Sequence, residues 1–343
     1  MLKAMAQFGN DLYTGERSYG FVARRKTWYI IAGVMVLLSI ILPIARGGFV
    51  FGIEFRGGSE FQVSEVASLT ADNREETQDL ATQTVEGVVA DSSPRVSIVG
   101  SEGVRVQTSQ LTQEESAEVR TALADAFEVD VANVTASFIG PSWGADVTGS
   151  AIRALIVFVI LSAIVMALYF RTWKMSVAAI VSLIHDMVIT AGVYGALGLE
   201  ITPSAVIGFL TILGYSLYDT VVVFDKIREN TAEDGPESRR TFAESVNLAV
   251  NQTLVRSINT GVVAVLPVAA ILFIGGTLLG AGTLLDIALS LFIGIIVGTY
   301  STIFIGAPLY SQLRENEPEI KKRSDRLATQ RLNAAVPAVP AAK

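Results

Sequence analysis

Four ionisable residues sit inside stretches that are otherwise apolar: His185, Asp186, Asp219 and Arg256. Charged groups are costly in hydrocarbon and commonly mark proton or ion pathways, so each is a functional candidate. Asp219 lies in GYSLYDTVVVFDKIREN (214–230) and Arg256 in NQTLVRSINT (251–260). An acid beside a guanidinium can handle protons. Burial favours the neutral carboxyl, and a nearby permanent cation favours the carboxylate. A small displacement of Arg256 then decides whether Asp219 holds a proton. Asn251, Asn259 and Thr260 can hold water beside the two, and Asn259, three residues from Arg256, shares its helix face. Tyr218 offers a hydroxyl next to the acid. The rival reading is an ion pair that only fixes helix packing. His185 and Asp186 read either as part of the same relay or as a structural pair, with a neutral imidazole bonded to its neighbour or to a backbone carbonyl.

These residues need helices that cross a membrane. The chain has 343 residues, half of them hydrophobic. Six apolar runs approach or exceed the ~20 residues that cross a bilayer: 28–45, 151–170, 175–199, 203–224, 253–274 and 286–309. Asp219 lies six residues before Asp225, or ~9 Å from one end of its run at the helical rise. Arg256 lies five residues after Asn251, or ~7–8 Å into the next run. The two therefore reach similar depth on consecutive helices. Arg24, Arg25 and Lys26 precede the first run, which places the N-terminus in the cytoplasm. Arg171, Lys174, Lys226, Arg228, Arg239, Arg240, Lys321, Lys322 and Arg323 then fall on the same side. A cleaved signal peptide fits poorly, because the first run is long and no small-residue cleavage site closes it. Asp286 and Arg153 read as interfacial end residues. Gly294 and Gly298 form a G-x-x-x-G that could meet a partner helix.

The expected fold is a membrane all-α bundle of six transmembrane helices with an extracytoplasmic α+β head between the first and second. The divisions are a cytoplasmic segment over 1–27, the first helix over 28–45 and the head over 46–148. Five helices follow over 149–310, then a cytoplasmic, unstructured tail over 311–343. Within the head, strands are expected over 60–66, 95–99, 104–108 and 133–139, with a turn at GSEG (100–103). Helices are expected over 71–90 and from the T-Q-E-E capping box at Thr112. The order β-α-β-β-α-β is that of a ferredoxin-like module. Gly52, Gly57 and Gly58 in GIEFRGG suit a hinge between head and membrane.

Composition excludes several chemistries. The chain has no cysteine and one histidine, so disulfides, thiolate catalysis and a histidine or cysteine zinc site are out of reach. Between Ser59 and Glu128 stand fourteen acidic residues against four arginines, which argues against nucleic acid. No catalytic cluster is evident. The chain is not expected to be an enzyme or to need a cofactor beyond protons as coupling ion. An intramembrane aspartyl protease is a remote alternative, since the second aspartate in G-x-G-D is missing.

Nearly the whole chain resembles the SecD/SecF family of the resistance-nodulation-division superfamily, on its SecF side. The likeness rests on LYTGERSYGFVARRKTW, GIEFRGG, IGPSWGADV, HD at 185–186, GYSLYDTVVVFDKIREN and NQTLVRSINT. The resemblance implies one six-helix half whose other half is a SecD-like subunit. It further implies the SecYEG channel, SecA, membrane lipids and exported unfolded polypeptides as partners. The proton-motive force would drive export after the SecA stage. It carries the proton-relay role onto Asp219 and Arg256, and departs at Tyr218, where asparagine is commoner. A small-molecule or lipid exporter half of the same superfamily is the alternative.

Overall fold

The protein is described by a computed structural model over residues 2–70, 72–100, 102–232, 238–275 and 282–335. A short helix α1 (Leu2–Thr14) precedes the first long apolar helix, α2 (Arg25–Ala45). A two-residue strand β1 (Val50–Phe51) and a single turn α3 (Ile53–Arg56) lead into the head. The head contains β2 (Gly58–Val63), α4 (Arg74–Val88), β3 (Arg95–Val99), β4 (Gly103–Thr108), α5 (Gln113–Ala126) and β5 (Val134–Ile139). The chain returns through α6 (Pro141–Phe170), α7 (Trp173–Leu197), the two-residue β6 (Glu200–Ile201), α8 (Pro203–Ala232) and α9 (Phe242–Ala270). The last long segment is α10 (Gly282–Ser301), a wide turn over Thr302–Gly306, and α11 (Ala307–Glu315); α12 (Pro318–Ala335) ends it. Among the described residues, six helices are long and apolar enough to cross a membrane.

The head sheet has the order β3-β4-β2-β5, and every neighbouring pair is antiparallel. Alternation along β2 points Phe61 and Val63 inward, where they meet Val104 and Val106 of β4 and Val85, Val119 and Leu123 of the two helices. Thr112 opens α5 through the expected box: its hydroxyl accepts from Glu115 N–H at 3.2 Å, and the Glu115 carboxylate accepts from Thr112 N–H at 2.8 Å. The helix expected over 71–90 is shorter, at Arg74–Val88. Ala71 and Ser101 of the expected helix start and GSEG turn lie outside the described residues.

Ahead of the first span, α1 folds back against α9. One expectation is corrected. The tail is helical over Pro318–Ala335 rather than unstructured. It is amphipathic, with Ile320 and Leu327 seven residues apart on one face and packed inward, and the Arg331 guanidinium donates to both Glu244 oxygens at 2.7 and 2.9 Å. The AAVPAVPAAK end lies outside the described residues from 336 onward.

GIEFRGG forms a packed junction. Gly57 and Gly58 take φ of 78° and 141°, which L side chains rarely adopt, and a Cβ on Gly58 would run into the Thr108 carbonyl. Just before it, β1 pairs in parallel with β6, Val50 with Glu200 and Phe51 with Ile201. The head is thereby tied to the residues that open α8. Glu54 and Glu200 both bring a buried, unpartnered carboxylate oxygen to this point. Burial pushes both carboxyls above the ordinary range, and the Glu200 charge adds to the rise at Glu54. Raised carboxyl pKa values mean that the junction is most stable when both acids are neutral and loosens as pH rises through their folded values. Glu200→Gln is therefore expected to flatten this pH dependence. Protection of the amides of 50–53 and 200–201, taken as the intrinsic exchange rate at each pH over the observed rate, would rise in wild type on acidification and change little in the variant.

Candidate functional site

Interior polar side chains gather along one seam between α7, α8, α9 and α10. Every helix that contributes follows the 3.6-residue period, so residues three or four apart share a face. On α8, Ser216, Asp219 and Thr220 are all buried, at the same level as Ser182, His185, Asp186 and Thr190 on α7. Ser257 enters from α9, and Ser301 and Thr302 from the end of α10.

Asp219 is 4% exposed. One oxygen, Oδ1, accepts from the Ser257 hydroxyl at 2.8 Å. The other, Oδ2, is buried without a partner. The register deduced from depth therefore holds, but the contact is made by the residue beside Arg256. Successive helical residues differ by ~100° around the axis. With Ser257 turned toward α8, Arg256 lies on the exposed side of α9, and no Asp219–Arg256 ion pair forms within 4 Å among the described residues. This corrects the expectation of a direct pair. Arg256 lines a cavity of about 250 Å³ at the end of the bundle opposite the head, together with Tyr13, Asp225, Lys226, Glu229 and Gln252. That space admits several waters, since each takes ~30 Å³ in the liquid.

The other expected residues divide. Asn259 is exposed and Thr260 half-buried, on the outer side of α9 with Arg256. Tyr218 is 57% exposed and points away from the seam. Asn251 is buried but already committed: its Oδ1 accepts from Tyr19 N–H at 2.8 Å, and its Nδ2 donates to the Tyr19 carbonyl at 3.0 Å. It anchors the segment after α1 rather than holding water for Arg256. His185 and Asp186 sit within the seam, with Nδ1 and Oδ1 3.4 Å apart. Gly52, Gly57 and Gly58 lie at the head junction, away from the seam. Asp286 is not a free interfacial end, because its Oδ2 accepts from the Thr202 hydroxyl at 2.7 Å.

The G-x-x-x-G of α10 also faces inward. A Cβ on Gly294 would strike Ile212, and one on Gly298 would crowd Ser216. These glycines bring α10 against α8 and are spent inside the bundle, not on a partner. The hydroxyl residues of the seam escaped the sequence reading. Their signal was present as the spacing Ser216–Asp219–Thr220 and Ser182–His185–Asp186, but serine and threonine are common enough in membrane helices to pass as packing. At the end of α10, Thr220 and Thr302 hydroxyls meet at 3.0 Å, and the Ser182 hydroxyl donates to the Ser301 carbonyl at 3.2 Å.

Comparison with known proteins bears on what this seam serves. The family described as protein export membrane protein SecD/SecF, C-terminal, matches residues 118–316. The chain is 41% identical over 334 residues to the protein translocase subunit SecF of Streptomyces coelicolor, covering 97% of this chain and 87% of that one. It is 40% identical over 342 residues to the protein translocase subunit SecF of Mycobacterium tuberculosis, covering 96% and 75%. Among solved structures it is similar to SecDF, a translocon-associated membrane protein from Thermus thermophilus, with a TM-score of 0.74 and 30% identity; the match covers 88% of this chain and 39% of that chain.

Ser257→Ala leaves both Asp219 oxygens without a side-chain partner. Stranding a buried acceptor costs about 1–3 kcal/mol, so the variant is expected to unfold at lower temperature in detergent than wild type. An unchanged midpoint would mean that Ser257 does not hold the acid in place.

Proposed function

The chain belongs to the SecD/SecF family, as an auxiliary subunit of the Sec translocase, and on that premise we propose that it uses the proton-motive force to draw exported polypeptides outward. The carrying observation is Asp219: an acid buried in the seam, held at one oxygen and open at the other, next in register to an arginine that lines a cavity with room for several waters. With a proton on Oδ2 the carboxyl is neutral and tolerates its surroundings. After the proton leaves, the anion needs a countercharge, and Arg256 supplies it by swinging from the cavity across one helical position. A carboxyl neutral in one state and paired in the other carries protons inward. Each charge moved across the membrane yields ~2.3 kcal/mol per 100 mV.

The route from proton to pull is mechanical. Asp219 rides on α8, whose first turn follows β6, and β6 is bonded to β1 at the foot of the head. A shift of α8 on proton release is thereby passed to the head. The head is read as a ferredoxin-like module on the outer side of the membrane, supported by its strand order and antiparallel pairing and by the basic ends of the helices opposite it. Both termini then lie in the cytoplasm. Asn259 and Thr260 stay in the relay as groups that wet Arg256 on its own face. The partners are a SecD-like subunit, as in the SecDF chain of Thermus thermophilus, of which this chain spans about two fifths, with the SecYEG channel and SecA. Protons are the only coupling species required, and no catalytic step on the polypeptide is invoked.

Asp219→Asn is expected to keep assembly and lose the gradient-dependent part of export. In vesicles carrying the SecD-like partner, channel and SecA, export by this variant should fall to the level seen after the gradient is collapsed. Full export under an applied gradient would remove Asp219 from the mechanism. Co-expression with a SecD-like subunit should yield a complex that survives purification in mild detergent, whereas elution of the chain alone would count against this assembly.

A further inference from the structure

A proton carried through Asp219 needs a way in from the head side as well as a way out through the Arg256 cavity. Head-ward of Asp219 the interior is not simply apolar. One turn nearer the head on the same helix, the Ser216 hydroxyl donates to Asp186 Oδ2 at 2.6 Å. Asp186 is fully buried, and its other oxygen faces His185 Nδ1. The His185 side chain is 7% exposed, and its Nε2 has no partner. Tyr300, whose ring centre lies 6.2 Å from the imidazole, also has a buried, unpartnered hydroxyl. Between α7 and α8 a cavity of about 10 Å³ opens beside Asp186, lined by Thr190, Met187, Phe209, Ile212 and Leu213. About 10–15 Å³ of such space is what one water needs. Thr190 lies one turn from Asp186 toward the head, so this space is on the head-ward side of the acid.

We propose that His185 and Asp186 form the head-side proton station that loads Asp219; this rests on the reading of Asp219 as the proton carrier. A proton arriving from the head side is taken by the Asp186 carboxylate, with the His185 imidazole sharing the load through Nδ1. The Ser216 hydroxyl turns from the protonated Asp186 toward Asp219, and Asp186 gives its proton to the Ser216 oxygen while the Ser216 hydroxyl proton passes to a water in the turn between Ser216 and Asp219. That water protonates Asp219 Oδ2. The proton that Ser216 receives points back at Asp186, which is the arrangement seen here. One proton leaves Asp186, one arrives at Asp219, and serine and water end unchanged. Side chains three apart on a helix stand ~5–6 Å from Cβ to Cβ, a gap that one water spans.

The charged surroundings suit a station and not a fixed ion pair. The titratable neighbours of Asp186 are His185 on its own helix, Asp219 one turn away on α8, and Tyr300 on α10. Against α7, α2 carries Arg25, Lys26 and Tyr29 at the end far from the head, and α6 carries Asp146 and Arg153 at the head end and Tyr169 at the other. No lysine or arginine makes an ion pair with Asp186 among the described residues. An ionised Asp186 has only the imidazole beside it for countercharge among the described residues.

The test uses the full chain co-reconstituted with its SecD-like partner in oriented liposomes. A pH step is applied to one face at a time, and protonation of Asp219 is followed by its infrared carboxyl band, identified as the band lost in Asp219→Asn. Asp186→Asn and Ser216→Ala are expected to slow protonation from the head side by about 100-fold, the scale of a lost proton-transfer group, and to leave protonation from the opposite side unchanged. His185→Gln should shift the pH at which the head-side rate is half-maximal. A head-side rate unchanged from wild type in Asp186→Asn and Ser216→Ala would reduce this cluster to packing and overturn the proposal. If wild type shows no pH-responsive band that Asp219→Asn abolishes, it is the reading of Asp219 that fails. Should Asp186→Asn not assemble with its partner, Ser216→Ala and His185→Gln carry the same comparison.

Discussion

Hydrocarbon has no water to offer a polar group, and this constraint organises the molecule. A hydroxyl or carboxyl within a membrane-spanning helix has to find its partner inside the protein. Many of the buried ones here do so along one seam, with Ser257 bound to Asp219, Ser216 to Asp186, Thr220 to Thr302 and Ser182 to the Ser301 carbonyl. The seam is bounded by small side chains and by Gly294 and Gly298, which let α10 lie close enough to α8 for short side chains to meet. Leucine at those positions would separate the helices and leave the carboxylates with no partner within reach. The outer faces of α2, α6 and α9 carry exposed Ile, Val and Leu instead, as a lipid or a partner subunit requires.

Incomplete satisfaction is as informative as satisfaction. Buried polar atoms are nearly always bonded in native proteins, yet Asp219 Oδ2, His185 Nε2 and Tyr300 OH around the two acids are not, as Trp28 Nε1, Tyr29 OH and Ser311 Oγ elsewhere in the bundle are not. A set of acceptors and donors left open around two acids is the arrangement expected where a proton comes and goes, because each protonation state needs a different number of bonds.

The head depends on the bundle through very little backbone. Two residues of β1 pair with two of β6, α3 turns against α6, and Gly57 and Gly58 supply the backbone angles that let β2 start at once. That economy makes the junction responsive. Two acids meet there with unpartnered oxygens, and α8 enters the membrane directly from it. The basic opposite end is fixed more firmly, by α1 against α9, by Asn251 holding Tyr19, and by α12 clasped to Glu244. The bundle is thus firmly braced at one end and lightly coupled at the other.

Periodicity made the six spans, the strand order of the head, the capping box at Thr112 and the positions of the four interior ionisable residues legible in the sequence, because each is a local pattern written in consecutive residues. Depth along consecutive helices even placed Asp219 level with Arg256. What depth could not supply was rotation. Whether Arg256 or Ser257 faces Asp219 turns on ~100° about the axis of α9, and that angle is set by how four helices pack, not by the residues of one. The same reason hid the parallel pairing of β1 with β6, 150 residues apart in the chain, and the contact of the tail helix with Glu244 on another element. Local chemistry chose the groups, and only the packed bundle decided which of them touch.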